Sequence, residues 1–191
     1  MSNVNEAYIN ALLADAEYAI NGLGEYDLLL ELSKRLTPAQ AEFINDNFTV
    51  VTHVESESGF DSTVWRSNTG QIYVSMRGTE EFDDLVSDID LTLSGLARDQ
   101  IVDMVNWWLK NSTALGNSAQ QISLVGGIFS WGVPVVGTGV LSDITNVMVN
   151  GHSLGGHLAT AFSRLLGGAV TIDNVHTFNS AGFNPASELF F

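Results

Sequence analysis

Gly151-His152-Ser153-Leu154-Gly155 sets a serine between two glycines, in the pattern G-x-S-x-G. β-prone residues precede it and a helix-like run follows. On a sharp strand-to-helix turn a serine hydroxyl stands clear of the backbone, where it can attack a carbonyl carbon. Gly151 and Gly155 suit such a turn because the flanking elements must approach closely. The amide of Leu154 falls at a helix N-terminus, where it can stabilise a developing oxyanion. The chemistry to which these residues point is acyl transfer with Ser153 as nucleophile. It also needs a base, and the base needs an orienting carboxylate.

A second cluster lies at 76–91, MRGTEEFDDLVSDIDL. Arg77 ends a strand-like run, and burying it requires a carboxylate partner; Asp88 lies eleven positions on. Glu80, Glu81, Asp83 and Asp84 read as a solvated loop. They are also oxygen ligands suited to a hard cation, although their spacing matches no 12-residue calcium loop, and no metal is assigned.

Positioning Ser153 requires a strand, a turn and a helix. Ile144–Val149 reads as a short apolar strand, Leu154–Leu166 as a helix closed by Gly167-Gly168, and Val175–Phe178 as the next strand, which together make a parallel-sheet unit. Upstream, 48–54, 62–67 and 71–76 are β-prone, with Asn68-Thr69-Gly70 as a turn between the last two: an antiparallel hairpin leading into the sheet. Residues 1–47 form a helical lead-in, with helices over 4–21 and 25–35. A third starts at the Thr37-Pro38-Ala39-Gln40 capping box. A further helix spans 97–110. Residues 115–142 are apolar and glycine-studded, with neither period sustained. They read either as a lid or substrate-facing loop or as a buried glycine-rich helical hairpin.

The chain has 191 residues, 45% hydrophobic and 15% charged, which fits one globular domain over 1–191. A net charge of −15 disfavours nucleic acid and anionic membranes alike, so no nucleic-acid partner is expected, and leaves neutral substrates and zwitterionic lipid open. With no cysteine, disulfides and thiol catalysis are excluded. The N-terminus has no Sec-type signal and no stretch spans a bilayer. The expected location is therefore cytoplasmic or reached by a non-Sec route.

Taken together, the two clusters resemble the class 3, fungal-lipase-like branch of the α/β-hydrolases. The resemblance rests on Arg77-Gly78-Thr79, Asp88, the Gly151–Gly156 run with Leu158-Ala159, and Val175-His176-Thr177-Phe178-Asn179, in which Asn179 stands where the family has glycine. The run from Asp90 to Ala97 looks like bacterial members joined to larger secreted or toxin-like proteins. The resemblance covers about residues 48–184. It implies an α/β fold with a mostly parallel sheet, an N-terminal antiparallel hairpin and flanking helices. It implies a lipase or phospholipase with Ser153 as nucleophile and no cofactor. The oxyanion would be held by the backbone amides of Thr79 and Leu154, and an Arg77–Asp88 ion pair would support the oxyanion loop.

The family's triad runs serine, aspartate, histidine. After Ser153 the chain offers Asp173, Glu188, His157 and His176, and none fits. Asp173 precedes the last strand at the wrong end, and no histidine follows Glu188. His152 should point away from the hydroxyl, His157 toward the sheet, and His176 reads as a core histidine; His53 has no assigned place. The expectation is a hydrolase domain continuing beyond residue 191. Three readings stay open: a serine esterase acting on lipid esters, with transient contact at a lipid interface; a lipid- or protein-binding module built on the same pocket; and a fragment that assembles with another chain, including a second copy of itself.

Overall fold

The structure is a computed structural model and describes residues 3–20, 27–78, 89–180 and 182; of residues 3 and 89–97 it describes the backbone alone. Thr79 and Asp88 lie outside the described residues. Three helices come first: α1 (Asn3–Ala16), ending in a 3-10 turn Glu17–Ala19, then α2 (Leu28–Leu32) and α3 (Pro38–Asn47). The capping box forms as its sequence predicts: the Thr37 N–H donates to Gln40 Oε1 at 3.1 Å, with Pro38 in the first turn.

The central sheet has the order β1-β2-β3-β8-β9, from β1 (Phe48–Glu55), β2 (Asp61–Ser67), β3 (Ile72–Arg77), β8 (Asn146–His152) and β9 (Thr171–Phe178). β1 pairs antiparallel with β2, and β2 with β3; β3, β8 and β9 pair in parallel. β2 alone runs against the rest. The two parallel crossovers are α4 (Ile89–Ser112) and α5 (Leu154–Leu166), both on one face. There Met104, Val105 and Trp108 of α4 meet Leu158 and Phe162 of α5 over Val74, Met76 and Val149. The opposite face is covered by α1 and α3, whose Leu12, Leu13, Ala16, Ala41 and Ile44 bury Trp65 and Tyr73. The result is a three-layer α/β domain with one core on each face of the sheet. No helix among the described residues is long and apolar enough to cross a membrane.

Three expectations change. Helix α4 begins at Ile89 rather than 97, carried through Thr92, Ser94 and Gly95 by its continuation into a well-packed second half. Residues 115–142 hold no helix. They form two small two-stranded sheets, β4 (Ser118–Ala119) with β7 (Val135–Val136) and β5 (Ile122–Val125) with β6 (Ile128–Trp131). Gly126-Gly127, with φ of 58° and 80°, makes the β5–β6 turn, a backbone that glycine pairs favour between short apolar strands. Last, β9 is half exposed and half partly buried, so His176 is a partly covered residue rather than a core one; its Nε2 lies 3.1 Å from Glu6 Oε1 of α1.

Candidate active site

β8 delivers the chain to Ser153 at the C-terminal edge of the sheet, and α5 leads it away. At the turn Ser153 has φ 56° and ψ −125°, a conformation that costs a non-glycine residue free energy and persists only when its surroundings enforce it. The Ser153 N–H donates to Phe178 O at 2.9 Å, and Ser153 O accepts the Gly156 N–H at 3.0 Å. Behind the turn, Asn150 Nδ2 donates to Asn10 Oδ1 at 3.0 Å in a fully buried pair that ties β8 to α1.

The glycines are required by contact. A β-carbon on Gly155 would lie 2.0 Å from Met76 O, and one on Gly151 would lie 2.2 Å from Gly155 O. The first turn of α5 therefore sits directly on the end of β3. One on Gly78 would lie 3.1 Å from the Leu154 amide nitrogen, so the strand leading to Thr79 ends beside that amide. On the far side of the turn Asn179 has φ 47°, a left-handed backbone that asparagine tolerates better than most residues. This accounts for a glycine or asparagine there.

Arg77 is held by Asp61, Nη2 to Oδ2 at 2.9 Å, with both side chains largely buried. The sequence reading did not single out Asp61, but the signal was present: once the turn at 68–70 sets Arg66 opposite Ile72, the register brings Asp61 opposite Arg77. Glu17 and His53 complete this polar cluster. Thr63 Oγ1 donates to Glu17 Oε1 at 2.9 Å and lies 2.9 Å from His53 Nδ1. Burial, with the adjacent Asp61 charge, pushes the Glu17 carboxyl well above its usual range; burial lowers His53, so its imidazole is neutral. Glu17, His53 and Asp61 are the group among the described residues whose ligand atoms would suit a metal ion. Here the Arg77 guanidinium and the Glu17 proton offset the carboxylate charge.

This burial sets a pH dependence. The unfolded chain releases the Glu17 proton near 4.5 while the fold retains it, so stability falls as pH rises above that value, by about 1.4 kcal/mol per pH unit over the window in which only the unfolded state has ionised. His53 acts oppositely: below about 6.5 the unfolded chain takes up a proton that the fold resists, and stability falls as pH drops. Glu17→Gln mimics the neutral acid. Calorimetry across pH 5 to 8 is expected to show the variant gaining on the parent as pH rises; a constant difference would mean that Glu17 is ionised in the fold.

Next to Glu17, Tyr18 reaches the elbow. Its hydroxyl lies 3.1 Å from His152 Nδ1, and Arg35 stacks 4.4 Å over its ring. Burial raises the phenol, with the Gly78 backbone opposing through a hydrogen bond to its oxygen. One side chain thus links the end of β3 to the flank of the nucleophile. Neither Glu17 nor Tyr18 carries a sequence signal for this role.

The structure brings Arg77, Gly151, Ser153, Leu154 and Gly155 to one end of the sheet. The histidines do not converge on Ser153. His152 turns to Tyr18, His53 is buried in the Glu17 cluster, His157 is buried within α5, and His176 bonds Glu6. Asp173 lies near the start of β9, accepting from Asn146 Nδ2 at 2.7 Å, at the end of the sheet away from the elbow. No protein-family model matches the chain, and no curated protein matches it in sequence. The fold is similar to that of the Lip2 lipase from Yarrowia lipolytica, with a TM-score of 0.55 and 18% identity, over 98% of this chain and 65% of that one. The chain is thus a lipase-like α/β fold that spans less than two thirds of that neighbour's length.

Proposed function

We propose that the chain carries the nucleophile of a serine ester hydrolase that acts on lipid esters. The observation that supports this reading is the strained Ser153 turn, with φ 56°, whose following amide lies against the end of β3. In this reading Ser153 Oγ attacks the ester carbonyl as its proton passes to a base, and the backbone amides of Leu154 and Thr79 hold the resulting oxyanion. Collapse expels the alcohol and leaves an acyl-enzyme, which water then cleaves. Arg77, held by Asp61, keeps the strand end that leads into Thr79 in place, and Asp88 is a second carboxylate for the same role. The expected result is hydrolysis of p-nitrophenyl esters that vanishes in Ser153→Ala without loss of folding, with long acyl chains cleaved in preference to short ones. Cleavage of short soluble esters alone would sink the lipid assignment.

A binding module is the second reading. It is favoured by the commitment of His53, His152 and His176 to other partners. It predicts retention of a long-chain ester by both the parent and Ser153→Ala, with no turnover in either.

A further inference from the structure

Tyr18 reaches the elbow from the N-terminal helical layer, and no step of the proposed reaction uses it. It sits in the 3-10 turn Glu17–Ala19, between the buried Glu17 and Ala19. Its ring is held on two sides. The Arg35 guanidinium lies 4.4 Å over one face, with Nε donating to Asp15 Oδ1 at 2.7 Å. The His152 imidazole stands at 69° to the ring, with centroids 5.9 Å apart. A phenol held in this way places its oxygen within narrow limits. That oxygen accepts the Gly78 N–H and lies 3.1 Å from His152 Nδ1. A hydroxyl can serve both, accepting with a lone pair and donating its own proton.

Each partner sits one residue before a group of the proposed chemistry. Gly78 precedes Thr79, and His152 precedes Ser153. The two segments belong to neighbouring parallel strands whose register ends at Met76 opposite Gly151. Past that pair the β3–β8 ladder no longer sets the spacing between the strand ends, and there the Tyr18 hydroxyl spans them. Gly78 is also packed against the turn, since an added β-carbon would lie 3.1 Å from Leu154 N. An oxyanion site works only while its donors keep their places relative to the attacked carbon. A displacement of about 1 Å can cost on the order of a hundredfold in rate.

From this we infer that Tyr18 is a positioning residue for the reaction of Ser153, fixing the spacing between the nucleophile turn and the strand end that leads into Thr79. It touches no reacting atom in this role and acts through His152 and Gly78. The inference rests on the ester-hydrolase reading and adds to it a residue from outside the strand-turn-helix unit. Loss of the hydroxyl alone leaves the Gly78 N–H and His152 Nδ1 without this partner while the ring keeps its packing. Substrate binding is then retained and the transition state loses its fit, so kcat falls while KM stays.

Tyr18→Phe tests this in the full chain, with p-nitrophenyl ester hydrolysis followed at a fixed imidazole concentration and the imidazole-only rate subtracted. The expected result is a kcat lowered about 10- to 100-fold with KM within about twofold of the parent's. The melting temperature should stay within about 4 °C of the parent's, the size of shift that one lost hydrogen bond makes in a chain of this length. Tyr8→Phe, at a tyrosine of α1 that is 54% exposed, is the control and should keep the parent's rate. Amide hydrogen exchange gives a readout that needs no turnover. In Tyr18→Phe the Gly78 amide is expected to exchange at least about tenfold faster, with amides of the β3 interior unchanged. A Tyr18→Phe protein with the parent's kcat, or with unchanged exchange at Gly78, overturns the positioning role. A kcat loss that arrives with a collapsed melting temperature also overturns it, since Tyr18 would then serve the fold alone. A parent no faster than Ser153→Ala is a different failure: it sinks the ester-hydrolase reading itself, and this inference with it.

Discussion

Gly155→Ala is expected to lower stability by about 3 kcal/mol and to abolish the reactivity of Ser153. The added methyl would stand 2.0 Å from Met76 O and 3.0 Å from Arg77 C, which are backbone atoms of β3 rather than the ends of flexible side chains. β3 cannot recede, because it is paired with β2 on one side and β8 on the other. The start of α5 must therefore lift away from the strand end, and overpacking of this kind costs about 1–3 kcal/mol or more. Lifting α5 also moves the Leu154 amide, and displacement by about 1 Å can cost a reaction on the order of a hundredfold. Gly168→Ala is the control, since nothing lies within 4 Å of its added carbon. Calorimetry on both variants checks the prediction; an undisturbed Gly155→Ala would mean that α5 does not sit on β3.

Arg77→Met is expected to destabilise the fold by about 3–5 kcal/mol, the range for removing one partner of a buried ion pair. Methionine retains much of the arginine stem, so the loss isolates the charge. Without the guanidinium, the Asp61 carboxylate, 3% exposed in its side chain, stands uncompensated beside Glu17 and His53. Asp61→Asn placed in the Arg77→Met background should then recover much of the loss, so the double variant is less damaged than the sum of the singles. Urea titrations of the four proteins measure the coupling. Additive losses would show that the Arg77–Asp61 contact holds nothing in place.

The elbow was legible because its determinants are local. An apolar strand, a glycine-flanked serine and an amphipathic helix follow one another within α5 and β8, and each follows from spacing and residue type. The capping box at Thr37 was legible for the same reason. Asp61 was readable only through strand register, since it meets Arg77 across a hairpin. Glu17 and Tyr18 were not readable at all: they reach the site because α1 packs across the sheet, and packing angles leave no trace in a helical pattern. His176 reads as a core residue because an apolar-flanked strand looks the same at the centre and at the edge of a sheet; β9 is an edge strand, and its side chains are only partly covered. In 115–142 the glycine pair between two short β-prone runs was a hairpin signal, obscured by the length of the uncharged apolar stretch.

Intact mass after exposure to a fluorophosphonate tests the central claim most directly, because the probe marks a serine acting as a nucleophile. One adduct is expected, at Ser153, and none in Ser153→Ala. Because no described histidine bonds the Ser153 hydroxyl, labelling should be slow, sustained by the oxyanion amides alone, and should accelerate when imidazole is supplied as an external base. A folded chain that takes up no label even with imidazole, or an adduct that persists in Ser153→Ala, would contradict the assignment of Ser153 as nucleophile.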